Sequence, residues 1–499
     1  MSWLSNYRRP WANRWLVMPL LLVAGWLGVL LLGWQPPASA ITPRHYDELT
    51  FPPVEEIQIP DFERYQLPNG LVVYLMEDHE LPLISGSATF RTGTRFEPAA
   101  QVGLASLTGD AMRLGGTASL DPDALNQQLE QRAAAIETGM DTSSGSASFN
   151  ALTEDTEAVF ALFADVVQQP AFDQGMIDLL QSQYRGGIAR RNDDPDDISS
   201  REFRKLVYGA DSPYARVVEY ATLDAISRED IQGFYRASMR PEQTILGIVG
   251  DFDSEQMKLL VADYFGAWQG QGTPLNVTDL PVVEQAKAGT FMVNQPQLTQ
   301  SNIQIGHLGG QQNYPDHAAL SVMNEVLNGF GGRLFNQIRS REGLAYSVYA
   351  FWAPRFDYPG LFIGGGQTRS GATVPFIRSM AAELERIRSA PVSDVELARA
   401  KDSVLNSFVF NFERPDQTLS RLIRYEYYDY PDDFIFQFQE QVRNTTAEAV
   451  LAAARDRLNP DQVVVLVVGN EAEIQPALST LSPDTGVTVV DITIPQPDA

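Results

Sequence analysis

Cysteine is absent from the 499 residues, which excludes disulfides, thiolate nucleophiles and cysteine-ligated metal centres. Histidine is scarce. The four histidines, His45, His79, His307 and His317, show no HxxEH, HExxH or HxxH spacing, so those metal-binding patterns are missing and all four read as ordinary surface or loop residues. There is no G-x-S-x-G nucleophile elbow and no phosphate-binding loop. Positive charge is also short, with 37 Lys and Arg against 63 Asp and Glu and a net charge of -26. Neutralising many phosphates would work against that charge, so nucleic acid is excluded as a partner. No low-complexity run interrupts the chain, and a hydrophobic content of 44% with 20% charged residues belongs to a folded protein of two or more domains.

The first forty residues differ from the rest. A basic stretch with Arg8 and Arg9 leads into an apolar block from Leu16 to Trp34, then to Ala38 and Ala40 in an A-x-A arrangement. This is the pattern of an export signal over residues 1–40, with an uncleaved membrane anchor over 16–34 as the alternative. The expected location is periplasmic or otherwise extracytoplasmic, in contact with a membrane only if that segment is retained. Removing it takes three arginines and no acid, which leaves a net charge of -29.

The remainder is duplicated. "RPEQTILGIVGD" from Arg240 and "NPDQVVVLVVGN" from Asn459 share a proline, an acid, a glutamine, an apolar run and a glycine, and both Pro241/Pro460 and Gly250/Gly469 lie 219 residues apart. Each reads as a buried strand closed by a glycine turn. Ser227 and Thr446 each stand 14 residues before the proline and start a helix, Ser227 with Asp230 at capping-box spacing. Asn69-Gly70 marks a turn between strands, and "DPDALNQQLEQRAAAIE" predicts a helix capped by Asp121 with Leu125, Leu129 and Ile136 on one face. The expectation is α+β: an N-terminal domain over 41–270, a Pro/Gly-rich linker over 271–289 and a C-terminal domain over 290–499, each a mostly antiparallel sheet packed with helices.

These features together resemble the insulinase/pitrilysin family of zinc peptidases, most specifically through "LPNGLVVYL", "YGADSPYAR" and "FGGRLFNQIRSREGLAYSV" (Phe330 to Val348). The resemblance implies two halves facing each other as a clam shell. It also implies an inverted HxxEH motif after Gly-Leu-Ala, in which histidines one helical turn apart share a zinc ion and the glutamate polarises its water. Here Gly103-Leu104-Ala105 is followed by Ser106, Leu107, Thr108, Gly109 and Asp110. Ser106 and Asp110 replace the histidines, Gly109 replaces the base, and the position of the third ligand falls on Gly187. No metal is expected in this chain. The cluster Asp193, Asp194, Asp196 and Asp197 lacks the order of a calcium loop and reads as a solvated turn.

What the resemblance retains lies in the second half. Arg339 and Tyr346 match an arginine and a tyrosine that the family brings to the cleft, where a guanidinium and a phenol can hold a substrate carbonyl and the charge developing on it. Arg341 competes for the arginine role at a poorer spacing. Gly329, Gly331 and Gly332 match a glycine-rich substrate loop, although the residues alone describe a helix cap and turn equally well. The chain thus resembles the non-catalytic subunit of a two-chain peptidase acting on peptides or unfolded proteins, with a homologous HxxEH-bearing partner supplying the zinc. The alternative is a peptide-binding or scaffold protein of the same fold.

Overall fold

Alternating apolar residues build strands β1 (Glu63–Gln66), β2 (Val72–Glu77) and β3 (Leu83–Phe90) in the first half. Helices α1 (Leu104–Leu114) and α2 (Pro122–Glu130) follow, then strands β4 (Ala135–Met140) and β5 (Gly145–Leu152). Next come α3 (Thr156–Gln168), α4 (Gln174–Arg190), α5 (Pro195–Tyr208), α6 (Tyr220–Asp224), α7 (Arg228–Ser238), strand β6 (Thr244–Gly250) and α8 (Ser254–Phe265). The structure, a computed structural model, describes residues 59–329 and 331–496. The expected export signal over 1–40, its anchor alternative over 16–34 and His45 lie outside the described residues. Among the described residues, no helix is long and apolar enough to cross a membrane.

The second half repeats the plan. It runs β7 (Gly289–Asn294), β8 (Gln300–Leu308), α9 (His317–Asn328), β9 (Ala345–Ala353), β10 (Leu361–Arg369) and α10 (Thr373–Ser389), then α11 (Asp394–Phe408) and α12 (Pro415–Tyr427). It ends with α13 (Phe434–Asn444), α14 (Ala447–Arg457), β11 (Val464–Gly469) and β12 (Val487–Val489). Each half holds a six-stranded mixed sheet, ordered β1-β2-β6-β3-β5-β4 and β12-β7-β11-β8-β10-β9. Pairing is antiparallel except β2 with β6, β7 with β11 and β7 with β12. The repeated strands β6 and β11 take the third place in both sheets.

Local signals explain most helix starts. Asp121 caps α2 by accepting from the Ala124 amide at 2.8 Å, Ser227 and Asp230 form the capping box of α7, and Thr446 caps α14. One expectation fails. Ile136 belongs to β4 and not to the preceding helix, because α2 stops at Glu130 and Ala133 turns the chain at φ 48°. Ile136 remains fully buried, so the apolar period was real while its secondary structure was not.

The halves exchange helices. Helix α5 of the first half lays Ile198, Phe203 and Val207 against Phe291, Val293, Val464, Leu466 and Val468 of the second sheet. Helix α12 of the second half lays Leu419, Leu422, Ile423 and Tyr427 on Tyr74, Met76, Ile245 and Val249 of the first. Gly247 lets α12 come close, since a Cβ there would strike Ile423. Both helices begin on a proline, Pro195 and Pro415, whose fixed φ suits the first helical position. Burying four large side chains at about 1.5–3 kcal/mol each amounts to about 6–12 kcal/mol, comparable with the whole stability of a typical domain. The described residues accordingly belong to one compact unit.

Candidate functional site

Helix α1 starts at Gly103, whose φ of 107° suits only glycine, and Glu97 accepts from the Ala105 amide at 2.9 Å. Leu104, Leu107, Ala111 and Met112 turn into the core. On the opposite side Asp110, half-buried, accepts from the Tyr184 hydroxyl of α4 at 2.8 Å, and Ser106 stands near the same phenol. Gly109 is buried against β4. A Cβ there would stand 2.8 Å from the Gly139 carbonyl carbon and the Met140 nitrogen, and Thr138 Oγ1 donates to the Gly109 carbonyl at 2.6 Å. Gly187 is exposed on α4 with open space around its Cβ direction.

Burial pushes the Asp110 carboxyl above its ordinary 3.8, opposed by the Tyr184 hydroxyl, and burial likewise raises Glu97 and Tyr184. A carboxyl whose pKa is higher folded than unfolded costs stability as pH rises through the unfolded and then the folded value. Asp110→Asn keeps an acceptor for Tyr184 and removes that cost. In urea titrations it should match wild type below pH 3.8, then become the more stable protein as pH rises toward neutrality. A variant less stable at pH 7 than at pH 3.5, relative to wild type, would contradict this.

The zinc implied by the resemblance does not fit these residues. Asp110 is a single carboxylate already engaged by a phenol, Ser106 is a neutral hydroxyl, and Gly109 and Gly187 offer no donor. Among the described residues, no group of three or more His, Asp or Glu side chains is placed to hold a metal ion.

Arg339 and Tyr346 meet in the second half. The segment Phe335–Arg341 forms a π-helical turn, a form often found at functional positions. From it Arg339 places its guanidinium carbon 4.5 Å from the Tyr346 ring centre and 4.8 Å from that of Phe335. Tyr346, at the start of edge strand β9, is 82% exposed. Arg341 lies over neither ring and donates to Gln337 Oε1 at 3.3 Å. Gly329 ends α9, Gly331 adopts φ 82°, and the Gly332 amide donates to the Gly329 carbonyl at 2.6 Å. Beside them the buried Arg333 binds Glu396 through two nitrogens at 2.7 and 3.1 Å, which pulls the Glu396 carboxyl from 4.5 to about 2. No hydrogen bond, ion pair or ring contact among the described residues joins Arg339 or Tyr346 to Ser106, Asp110 or Tyr184.

Of the histidines expected at the surface, His307 is buried and His317 is half-buried. His307 in β8 accepts from the Asn459 amide at 3.1 Å, taking it as the tautomer protonated on Nδ1, and His317 opens α9 with its pKa pushed down to about 4 by burial. The aspartate cluster has structural work: Asp194 caps α5, and Asp196 accepts from Asn302 at 2.6 Å and from Gln367 at 3.0 Å in the other half. Sequence reasoning missed Tyr184. It stands one helical turn before Gly187, so asking which side chain of α4 could reach Asp110 would have found it.

Two family models match the chain: "Insulinase (Peptidase family M16)" over residues 76–205 and "Peptidase M16 inactive domain" over 225–404. A Mycobacterium bovis protein named an uncharacterized zinc protease is 27% identical over 324 residues, covering 62% of this chain and 70% of that one. A Helicobacter pylori protein named non-peptidase homolog YmxG is 22% identical over 401 residues, covering 79% and 91% respectively. A crystal structure of a peptidase M16 inactive domain from Pseudomonas fluorescens superposes with a TM-score of 0.74 at 25% identity, covering 84% of this chain and all of that one.

Proposed function

The chain belongs to the insulinase/pitrilysin (M16) peptidase family, and on that premise we propose that it is the metal-free subunit of a two-chain peptidase, lending Arg339 and Tyr346 to a homologous partner that carries HxxEH. The observation that carries the reading is the state of α1. Asp110, at one ligand position, is tied up by Tyr184 in front, and the base position is closed by β4 backbone behind. By contrast Tyr346 stays exposed and holds Arg339 against its ring. Their role is to grip the substrate carbonyl and the negative charge that grows on it, which matters most in the transition state. The signal-like or anchor-like pattern of residues 1–40 supports work outside the cytoplasm, with peptides or unfolded proteins as substrates.

The relative named a non-peptidase homolog supports the first half of this reading and leaves peptide binding without hydrolysis as the second. One experiment separates them. The purified chain, alone, should contain no stoichiometric zinc and cleave nothing; mixed with an HxxEH homologue from the same source, it should raise cleavage. Arg339→Ala and Tyr346→Phe should each lower kcat of the mixture about 100-fold with little change in KM. Chelator-sensitive cleavage by the isolated chain would defeat the proposal, and full activity of the mixture with Arg339→Ala would remove the assigned role.

A further inference from the structure

Arginines gather around the turn that joins Arg339 to Tyr346. Arg339, Arg341, Arg369 and Arg399 have no carboxylate within 4.0 Å among the described residues. Arg369, at the end of β10, reaches the Gly343 carbonyl at 3.5 Å, and its neighbour Thr368 pairs with Ala345 beside Tyr346. The Arg399 guanidinium lies against Gly331, where a Cβ would come within 3.0 Å of it. Arg341 and Arg399 are exposed, as is Arg369.

The nearby acids keep their charge but hydrogen-bond to other side chains. Glu342 accepts from Gln337 at 2.7 Å, Glu325 from Ser403 at 2.7 Å, and Glu396 is committed to the buried Arg333. Arg339 is held by two aromatic faces, which attract the cation without consuming its in-plane N–H donors. In a chain with 63 acidic and 37 basic residues, four guanidinium groups around one turn are left to find an anion elsewhere. The distant acids do not cancel them, because at about 0.1 M salt the field of an exposed charge is screened over about 10 Å.

We propose that this arginine cluster is a receptor for carboxylates on the peptide that reaches Arg339 and Tyr346, so that the favoured ligand is an acidic peptide despite the acidity of the whole protein. The proposal rests on the reading of Arg339 and Tyr346 as substrate-holding groups. Each guanidinium offers a planar pair of donors that matches a carboxylate in two-point contact. The carboxylate can come from Asp and Glu side chains or from a free C-terminus.

The test measures binding of short fluorescent peptides to the full, isolated chain at low and high salt. One peptide carries Asp and Glu with an amidated C-terminus, a second replaces them by Asn and Gln, and a third is neutral with a free C-terminus. The acidic peptide should bind about tenfold tighter than its amide counterpart at low salt, and salt should erase the gap. A preference for the third peptide over the amidated neutral one assigns the cluster to C-termini instead of side chains. Arg341→Ala/Arg369→Ala should abolish the preference with an unchanged melting temperature, whereas Arg378→Ala, a surface change elsewhere, should keep it. Equal affinity for all three peptides, or a preference that survives the double substitution, overturns the proposal. Because no partner is needed, an acidic preference in a chain that never supports cleavage would keep the receptor and discard the two-chain peptidase.

Discussion

Rebuilding the zinc motif by substitution fails, and it fails at Gly109. The variant Ser106→His, Gly109→Glu, Asp110→His, Gly187→Glu is expected to bind no stoichiometric zinc and to lose cooperative folding in its first half. Gly109→Ala isolates the cause. Helix propensity alone favours alanine over glycine by about 1 kcal/mol, so a free helix would gain. Here the added Cβ meets the Gly139 carbonyl carbon and the Met140 nitrogen at 2.8 Å. Both are backbone atoms of a paired strand and cannot swing aside as a side-chain tip would. Overpacking of this kind costs about 1–3 kcal/mol, and more where nothing yields. The net expectation is a loss of about 2 kcal/mol for alanine and about 4 kcal/mol or more for glutamate, read from urea midpoints at constant m-value. A Gly109→Ala protein more stable than wild type would show that α1 stands clear of β4 in solution.

Asp357→Ala is expected to cost about 3–5 kcal/mol. Arg95 in the first half pairs with Asp357 in the second at 2.8 Å, with the arginine side chain 4% exposed and the aspartate 19%. Tyr214 and Tyr358 stack at 4.2 Å nearby, one from each half. Deleting the aspartate strands a guanidinium where water reaches poorly, and that stranded charge dominates the cost. Removing both partners, as in Arg95→Met/Asp357→Leu, should recover most of the loss, since a buried pair often contributes little over apolar residues of similar size. A double-mutant cycle on chemical denaturation makes the comparison. If Asp357→Ala costs less than about 1 kcal/mol, the pair behaves as a surface bridge and the seam between the halves is wet.

Much of the fold was legible because its signals are local. Asp121, Ser227 and Thr446 announce their helices through a side chain that reaches an amide three residues on, and Pro241/Pro460 with Gly250/Gly469 mark the same strand twice. Ile136 shows the limit, because an apolar residue at helical spacing is also an apolar residue on the next strand, and only the turn at Ala133 decides. The exchange of α5 and α12 was not legible in advance. Pro195 and Pro415 start these helices in corresponding places, but what a helix covers is set by a sheet hundreds of residues away. At the site, the loss of zinc ligands was plain from Ser106, Gly109, Asp110 and Gly187. That Tyr184 fills the gap and β4 backs Gly109 required the tertiary structure. Arg339 and Tyr346 could be named from their motif, whereas the aromatic sandwich around Arg339 depends on a π-helical turn with no clear mark in the residues.

The exchanged helices also constrain ancestry. A polypeptide of half this length would carry a greasy sheet with no cover and a greasy helix with no floor, and both needs are met at once by a second identical molecule turned about a two-fold axis. A gene fusion joining such twins end to end would retain the crossover, and afterwards each copy could drift independently. That freedom lets one copy change without the other losing its footing.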